Sequence, residues 1–179
     1  MTGAKHIDYD RASSIGIRLL KSGKNKNFGL FIVCGINLGL RVSDLLQLTF
    51  DQLQGATFTI IEKKTRKKRQ LRVNDHISEA LTFFQDDLIC QLGGQAFTSQ
   101  KGTIYSAQHI NRLIKKYFKG NFSSHSLRKS FGRRVWENDN QSERALIYLS
   151  QVFNHSSTQI TRTYLGIHQE ELDEIYMNL

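Results

Sequence analysis

The stretch that decides the fold begins at His125-Ser126-Leu127-Arg128, reaches Asn154-His155-Ser156-Ser157, and closes on Thr163-Tyr164-Leu165. His125 and Arg128 stand three residues apart, so a helix projects them from one face. His155 and Tyr164 stand nine apart, a spacing that lets a short helix fold the tyrosine back toward the histidine. Two histidines, an arginine and a tyrosine brought together can cut a phosphodiester without a metal. Taken singly, a His-x-x-Arg pair is usually a solvated helix face, and a tyrosine near a chain end is usually a packing residue with a wet hydroxyl. The case rests on the combination and on two pieces upstream.

The 179 residues suffice for one domain with a sizeable core. Lys and Arg number 25 against 16 Asp and Glu, a net charge of +9, which points to a polyanionic partner. Cys34 and Cys90 have neither metal-ligand nor Cys-x-x-Cys spacing, so a reduced intracellular protein is expected. There is no apolar run of about 18 residues and no signal-peptide pattern after Met1. These absences predict a soluble, cytoplasmic chain with no membrane partner. Proline is absent, which fits a helix-rich chain.

No linker or repeat divides the chain. A helix is expected from Asp8 to Leu20, and a buried one from Phe28 to Leu38 with Gly39 ending it. Arg41 then falls at the junction with a new helix start, where an arginine costs desolvation unless an anion or carboxylate answers it. Asp51 to Gly55 reads as a turn. Thr57 to Ile61 and Gln70 to Val73 alternate as two antiparallel strands, and their tip from Lys63 to Arg69 carries six cations in seven residues. That tip is either a solvated charge cluster or a finger that reaches a nucleic-acid backbone through Lys63, Arg66, Lys67, Lys68 and Arg69 and places one lysine at the reacting centre.

Asn74 or Asp75 is expected to cap a helix from His76 to about Leu92, burying Ile77, Leu81, Phe84, Leu88 and Leu92. Ser106 caps another to Phe118. After Gly120 come the His125 helix, a helix from Ser142 to Phe153, and a short one to Tyr164 whose Ser156-x-x-Gln159 has the form of a capping box. His168 to Leu179 reads as an acidic helix with Leu172, Ile175, Tyr176 and Leu179 on one stripe.

The ordered set Gly39-Leu40-Arg41-Val42-Ser43-Asp44-Leu45, Lys64-Thr65-x-Lys67-x-Arg69, His125-x-x-Arg128, His155 and Tyr164 resembles the catalytic domain of the tyrosine recombinases, the phage-integrase family. The resemblance spans about residues 8 to 170 and implies an α+β, mostly helical fold with a small antiparallel sheet. It also implies cutting and rejoining of DNA strands without cofactors. By position it makes Arg41 the first family arginine, Lys64 the hairpin lysine, His125 and Arg128 the His-x-x-Arg pair, His155 the residue before the nucleophile, and Tyr164 the nucleophile. Asn154 stands where a glycine is common, and Arg66 replaces a small turn residue. About 40 residues precede Arg41, too few for the helical core-binding domain that family members usually carry, so residues 1–179 are expected to be a single catalytic domain, from a minimal recombinase or as a fragment.

The residues imply a definite chemistry. A free tyrosine has a pKa near 10, so only about 0.1% is ionised at neutral pH, a deficit of roughly 4 kcal/mol that nearby cations must lower. Arg41 and Arg128 would grip the non-bridging phosphate oxygens as Tyr164 attacks. His125 is the candidate acceptor for the tyrosine proton, and His155 for a further phosphate hydrogen bond. Lys64 would protonate the departing 5′ oxygen, with Lys63 the alternative because strand alternation turns only one of them inward. No carboxylate cluster suggests a metal. Double-stranded DNA and a tetramer of the chain on it are the expected partners, with the last helix docking on a neighbouring subunit. A type IB topoisomerase, using the same chemistry on one duplex, and a non-catalytic DNA-binding module are the alternatives.

Overall fold

The computed structural model describes residues 3–178. Asp8 caps α1 (Tyr9–Ser22) by accepting from the Arg11 N–H, and Gly23 ends the helix in the left-handed region. α2 (Lys26–Leu38) is buried along most of its length, as its apolar run predicts. The two helices touch backbone to backbone where Gly16 meets Gly29; a Cβ on Gly29 would lie 2.8 Å from the Gly16 carbonyl oxygen. Arg41 is the extended residue that opens α3 (Val42–Leu45).

Three local expectations need correction. Asp51 to Gly55 is helical rather than a turn, because Thr49 and Gln52 form a reciprocal capping box that starts α4 (Phe50–Gln54). The helix expected from His76 to Leu92 is broken into α5 (Asp75–Leu81), a 3-10 turn at Thr82–Phe84, and α6 (Leu88–Gln91). Lys26 sits at the break, its ammonium donating to the Phe83 carbonyl at 3.2 Å and to Asp87 at 2.9 Å. Leu88 and Leu92 consequently lose the helical register and are 66% and 76% exposed, not buried. Finally, Ser157 and not Ser156 caps α10 (Thr158–Leu165), accepting from the Ile160 N–H. The close of the preceding helix still binds the His155 N–H to the Ser150 carbonyl at 2.8 Å, so the extended cap comes one residue later.

Strands β1 (Thr57–Ile61) and β2 (Lys68–Arg72) pair antiparallel, with Phe58 opposite Leu71 and Ile61 opposite Lys68. The tip therefore spans residues 62–67, and Lys68 and Arg69 belong to a strand. After α7 (Ala107–Tyr117) come α8 (Ser124–Asn138), α9 (Glu143–Phe153), α10 and α11 (Ile167–Met177). Leu172, Ile175, Tyr176 and Met177 are exposed on α11, while the expected fourth stripe residue, Leu179, lies outside the described residues.

Two apolar clusters result. The larger joins α1, α2, the hairpin, α5 and α7 with Leu127 of α8. The smaller gathers Trp136, Leu146, Leu149, Phe153, Leu165 and Ile167 from α8 to α11. Because α8 feeds both, its first turn lies on their seam. No described helix is long and apolar enough to cross a membrane.

Candidate active site

The site is built on two helix ends. Arg128, buried in the first turn of α8, donates to the Gly39 carbonyl and to the Phe153 carbonyl, the latter at 3.2 Å. Arg41 donates to that same Phe153 oxygen at 3.0 Å and to Glu62 Oε2 at 3.1 Å. Arg69 donates to the Val152 and Leu38 carbonyls at 3.2 and 3.3 Å and stands 3.5 Å from Glu62 Oε1. Leu38 and Gly39 end α2, and Val152 and Phe153 end α9. Such carbonyls lack partners within their own helix and form the negative end of its dipole. Three guanidiniums therefore clamp two helix ends together, and the first two, 87 residues apart in sequence, meet at one oxygen.

The cluster is short of negative charge. Glu62 is only 3% exposed and is shared between Arg41, Arg69 and the Thr65 hydroxyl, which donates to Oε2 at 2.7 Å. Its carboxyl is held below the ordinary range, the Thr65 hydrogen bond, Arg41 and Arg69 outweighing burial. Asp44 accepts from the Lys63 N–H at 2.9 Å. Burial, the largest influence, pulls the Arg128 guanidinium down to about 10, with Arg41 and Arg69 pushing the same way and Tyr164 and Glu62 opposing. Arg128 still carries its charge at neutral pH. An anion is the group that would relieve this crowding.

Tyr164 closes the site from α10. Its ring packs edge-on against Phe153 at 5.4 Å and His155 at 5.2 Å, and Arg128 lies 4.5 Å over the same Phe153 ring. The Tyr164 hydroxyl is buried and, among the described residues, has no hydrogen-bond partner of normal geometry. Burial pushes its pKa above 10, while Arg128 and Arg41 pull against that rise. A phenol so placed stays neutral until something accepts its proton.

One histidine, His155, packs against it, and the other, His125, stands in the same helical turn as Arg128. Thr161 Oγ1 holds the Nδ1 edge of His155 at 3.0 Å, which leaves the Nε2 edge for a ligand. His125 stands on the surface of the first turn of α8, a turn fixed by the Ser123–Ser126 capping box. Desolvation and then Arg128 lower the pKa of both imidazoles, so both are neutral at pH 7 and able to accept a proton.

Of the hairpin residues, Lys63, Lys64, Arg66, Lys67 and Lys68 are exposed, whereas the Arg69 side chain is turned inward to Glu62. Lys63 and Lys64 lie in the loop beyond the last paired residue of β1, so strand alternation does not choose between them. Lys67 Nζ reaches Asn154 Oδ1 at 2.8 Å. Asn154 adopts the left-handed conformation at φ 58, a role open to asparagine as to glycine, and Arg66 does the same at φ 57 with less ease.

Sequence reasoning missed Glu62, Phe153 and Thr161. Glu62 carried a signal, since Phe58, Ile60 and Glu62 continue one face of the period-two pattern and put a carboxylate where the fold is buried. Phe153 acts through its carbonyl, and that has no signature in sequence.

Residues 24–171 match the family model described as the phage integrase family. The chain belongs to the phage integrase family. A curated relative, the probable integrase/recombinase YoeC of Bacillus subtilis (strain 168), is 26% identical over 159 residues, covering 86% of this chain and 84% of that protein. Among solved structures, XerA recombinase superposes with a TM-score of 0.68 at 19% identity, over 99% of this chain and 66% of its own length. XerH recombinase, bound to its difH substrate before cleavage, gives 0.62 at 20% identity over 98% of this chain and 54% of XerH. A lambda integrase dimer bound to a core site gives 0.65 at 16% identity over 92% of this chain and 60% of that one. The fold of this integrase-family chain is thus the one these recombinases share, and it spans two thirds or less of their lengths.

Proposed function

We propose that this chain is the catalytic domain of a tyrosine recombinase that cuts and rejoins duplex DNA through a 3′-phosphotyrosyl link. The observation that carries the reading is the meeting of Arg41 and Arg128 at the Phe153 carbonyl, beside the buried Tyr164 hydroxyl. A phosphate seated there would accept hydrogen bonds on its non-bridging oxygens from both guanidiniums. The Tyr164 oxygen bonds to phosphorus as its proton passes to His125, the bond to the 5′ oxygen breaks, and Lys64 gives that oxygen a proton. His155 donates to a phosphate oxygen. The phosphotyrosyl link retains the energy of the broken bond, so rejoining is the same sequence reversed. Lys63, Arg66, Lys67 and Lys68 serve the flanking DNA backbone, and the free chain works in the cytoplasm, where that DNA is found.

Membership of the integrase family favours recombination over topoisomerase-like relaxation. The test is incubation with a pool of nicked duplexes of randomised sequence, followed by denaturing gels. Wild type should trap DNA covalently and Tyr164→Phe should trap none. A wild-type protein that binds duplex DNA but never forms an adduct would reduce the chain to a DNA-binding module.

A further inference from the structure

The mechanism above gives no part to a cation that stands over the nucleophile's ring. Lys129 follows Arg128 on α8, and its Nζ lies 5.0 Å from the centroid of the Tyr164 ring. The residue is half-buried. Part of that cover comes from the N-terminal stretch, since a Cβ on Gly3 would fall 4.0 Å from Nζ. Desolvation lowers the lysine pKa, and no carboxylate of the described residues acts against it. An ammonium that has given up part of its water without gaining a carboxylate is costly unless another negative group faces it. The π face of Tyr164 is the group that does.

We infer that Lys129 is a positioning residue for the nucleophile: its ammonium, seated on the Tyr164 ring, fixes the ring between Phe153 and His155 and stabilises the phenolate. This inference rests on the reading of Tyr164 as nucleophile. The physical basis is a difference in interaction. Toward a neutral phenol the ammonium sees only the ring quadrupole, and toward a phenolate it sees a full negative charge delocalised over the same ring. The charged form gains more, so the cation draws the phenol pKa down against burial. The effect works in both directions of the reaction. In cleavage it favours the attacking oxygen as it loses its proton, and in rejoining it favours the same oxygen as it leaves phosphorus. His125 stands four residues earlier on the same helix face, and Lys129 is among the cations that hold its imidazole neutral. One face of α8 thus presents the proposed base and a cation, the cation seated over the Tyr164 ring.

Lys129→Met keeps the aliphatic stem and removes the charge, and Lys129→Arg keeps the charge over the ring. The phenolate titration of Tyr164 is read in the free protein as the difference between each background with and without Tyr164→Phe. Adduct formation is read in single turnover on the nicked-duplex pool. A cation–π contact of this exposure corresponds to a change on the order of tenfold. Lys129→Met should therefore raise the Tyr164 phenol pKa and slow adduct formation about tenfold with unchanged DNA affinity, and Lys129→Arg should restore both. Equal titration curves in wild type and Lys129→Met would overturn the inference, as would a loss that Lys129→Arg fails to rescue. Wild-type protein that forms no adduct at all would instead strike at the recombinase reading, and the titration would still decide whether the cation acts on the ring.

Discussion

At the scale of single residues the site is an exercise in unequal charge. Two guanidiniums, Arg41 and Arg69, share the buried Glu62 carboxylate, and that carboxylate also ties the tip of the hairpin to the start of α3. Asp44 returns the tie by accepting from the Lys63 N–H, so the two segments each give the other one acceptor. Glu62→Gln keeps the shape and removes the charge; it should destabilise the fold by about 3 kcal/mol in urea unfolding, because Arg41 and Arg69 are left facing each other. A change under about 0.5 kcal/mol would mean the pair is not a structural element. The histidines give a pH signature. His125 and His155 are depressed by desolvation and then by Arg128, and His6 by desolvation and then by Arg133, so all three folded pKa values lie below 6.5. As pH falls, the unfolded chain takes up protons first, and stability that is full above 6.5 is lost as pH drops through the depressed values. Melting temperature should fall from pH ~7 to pH ~5, and His155→Gln should flatten part of that fall. An unchanged pH slope in His155→Gln would remove that histidine from the account.

At the scale of elements, helix ends matter more than helix lengths. Gly39 closes α2 at φ 59, offers its carbonyl to Arg128, and faces Phe131 so closely that a Cβ would sit 2.4 Å from the ring. Gly39→Ala should therefore cost about 2 kcal/mol by overpacking and left-handed strain together and should weaken adduct formation, whereas Gly23→Ala, with open space around it, should leave the adduct alone. Equal loss in both variants would show that the clamp at α2 has no special role. These ends also mark how far the sequence could be read. The Phe28–Leu38 run, the hairpin alternation, the Ser106 and Ser142 caps and the ordered Arg41, His125, Arg128, His155, Tyr164 set were legible because each rests on local periodicity, on capping or on a family pattern. The break before α6 was not, because the Lys26 side chain that holds it comes from 57 residues away. Nor was the part played by the Phe153 carbonyl, since every residue has one and only the fold selects which is used.

At the scale of the whole molecule, the site lies where two apolar clusters meet, and α8 is the element common to both. Arg41 and the hairpin come from one side, His155 and Tyr164 from the other. Assembling the site therefore requires both clusters to be folded and docked, which is a physical reason for an ordered set of residues to be spread over more than a hundred positions. α11 leaves the smaller cluster with Ile175, Tyr176 and Met177 pointing to solvent. A second copy of the chain is the proposed cover for that stripe, so truncation before His168 should reduce the size of the complex formed on DNA, and a complex of unchanged size would defeat the idea. The account as a whole depends on one bond, between a tyrosine oxygen and a DNA phosphorus. The measurement that reads it most directly is mass spectrometry of peptides from the trapped protein–DNA adduct. The account predicts a nucleotide on Tyr164, abolished in Arg128→Ala; a nucleotide on any other residue, or an adduct that survives Tyr164→Phe, would contradict it.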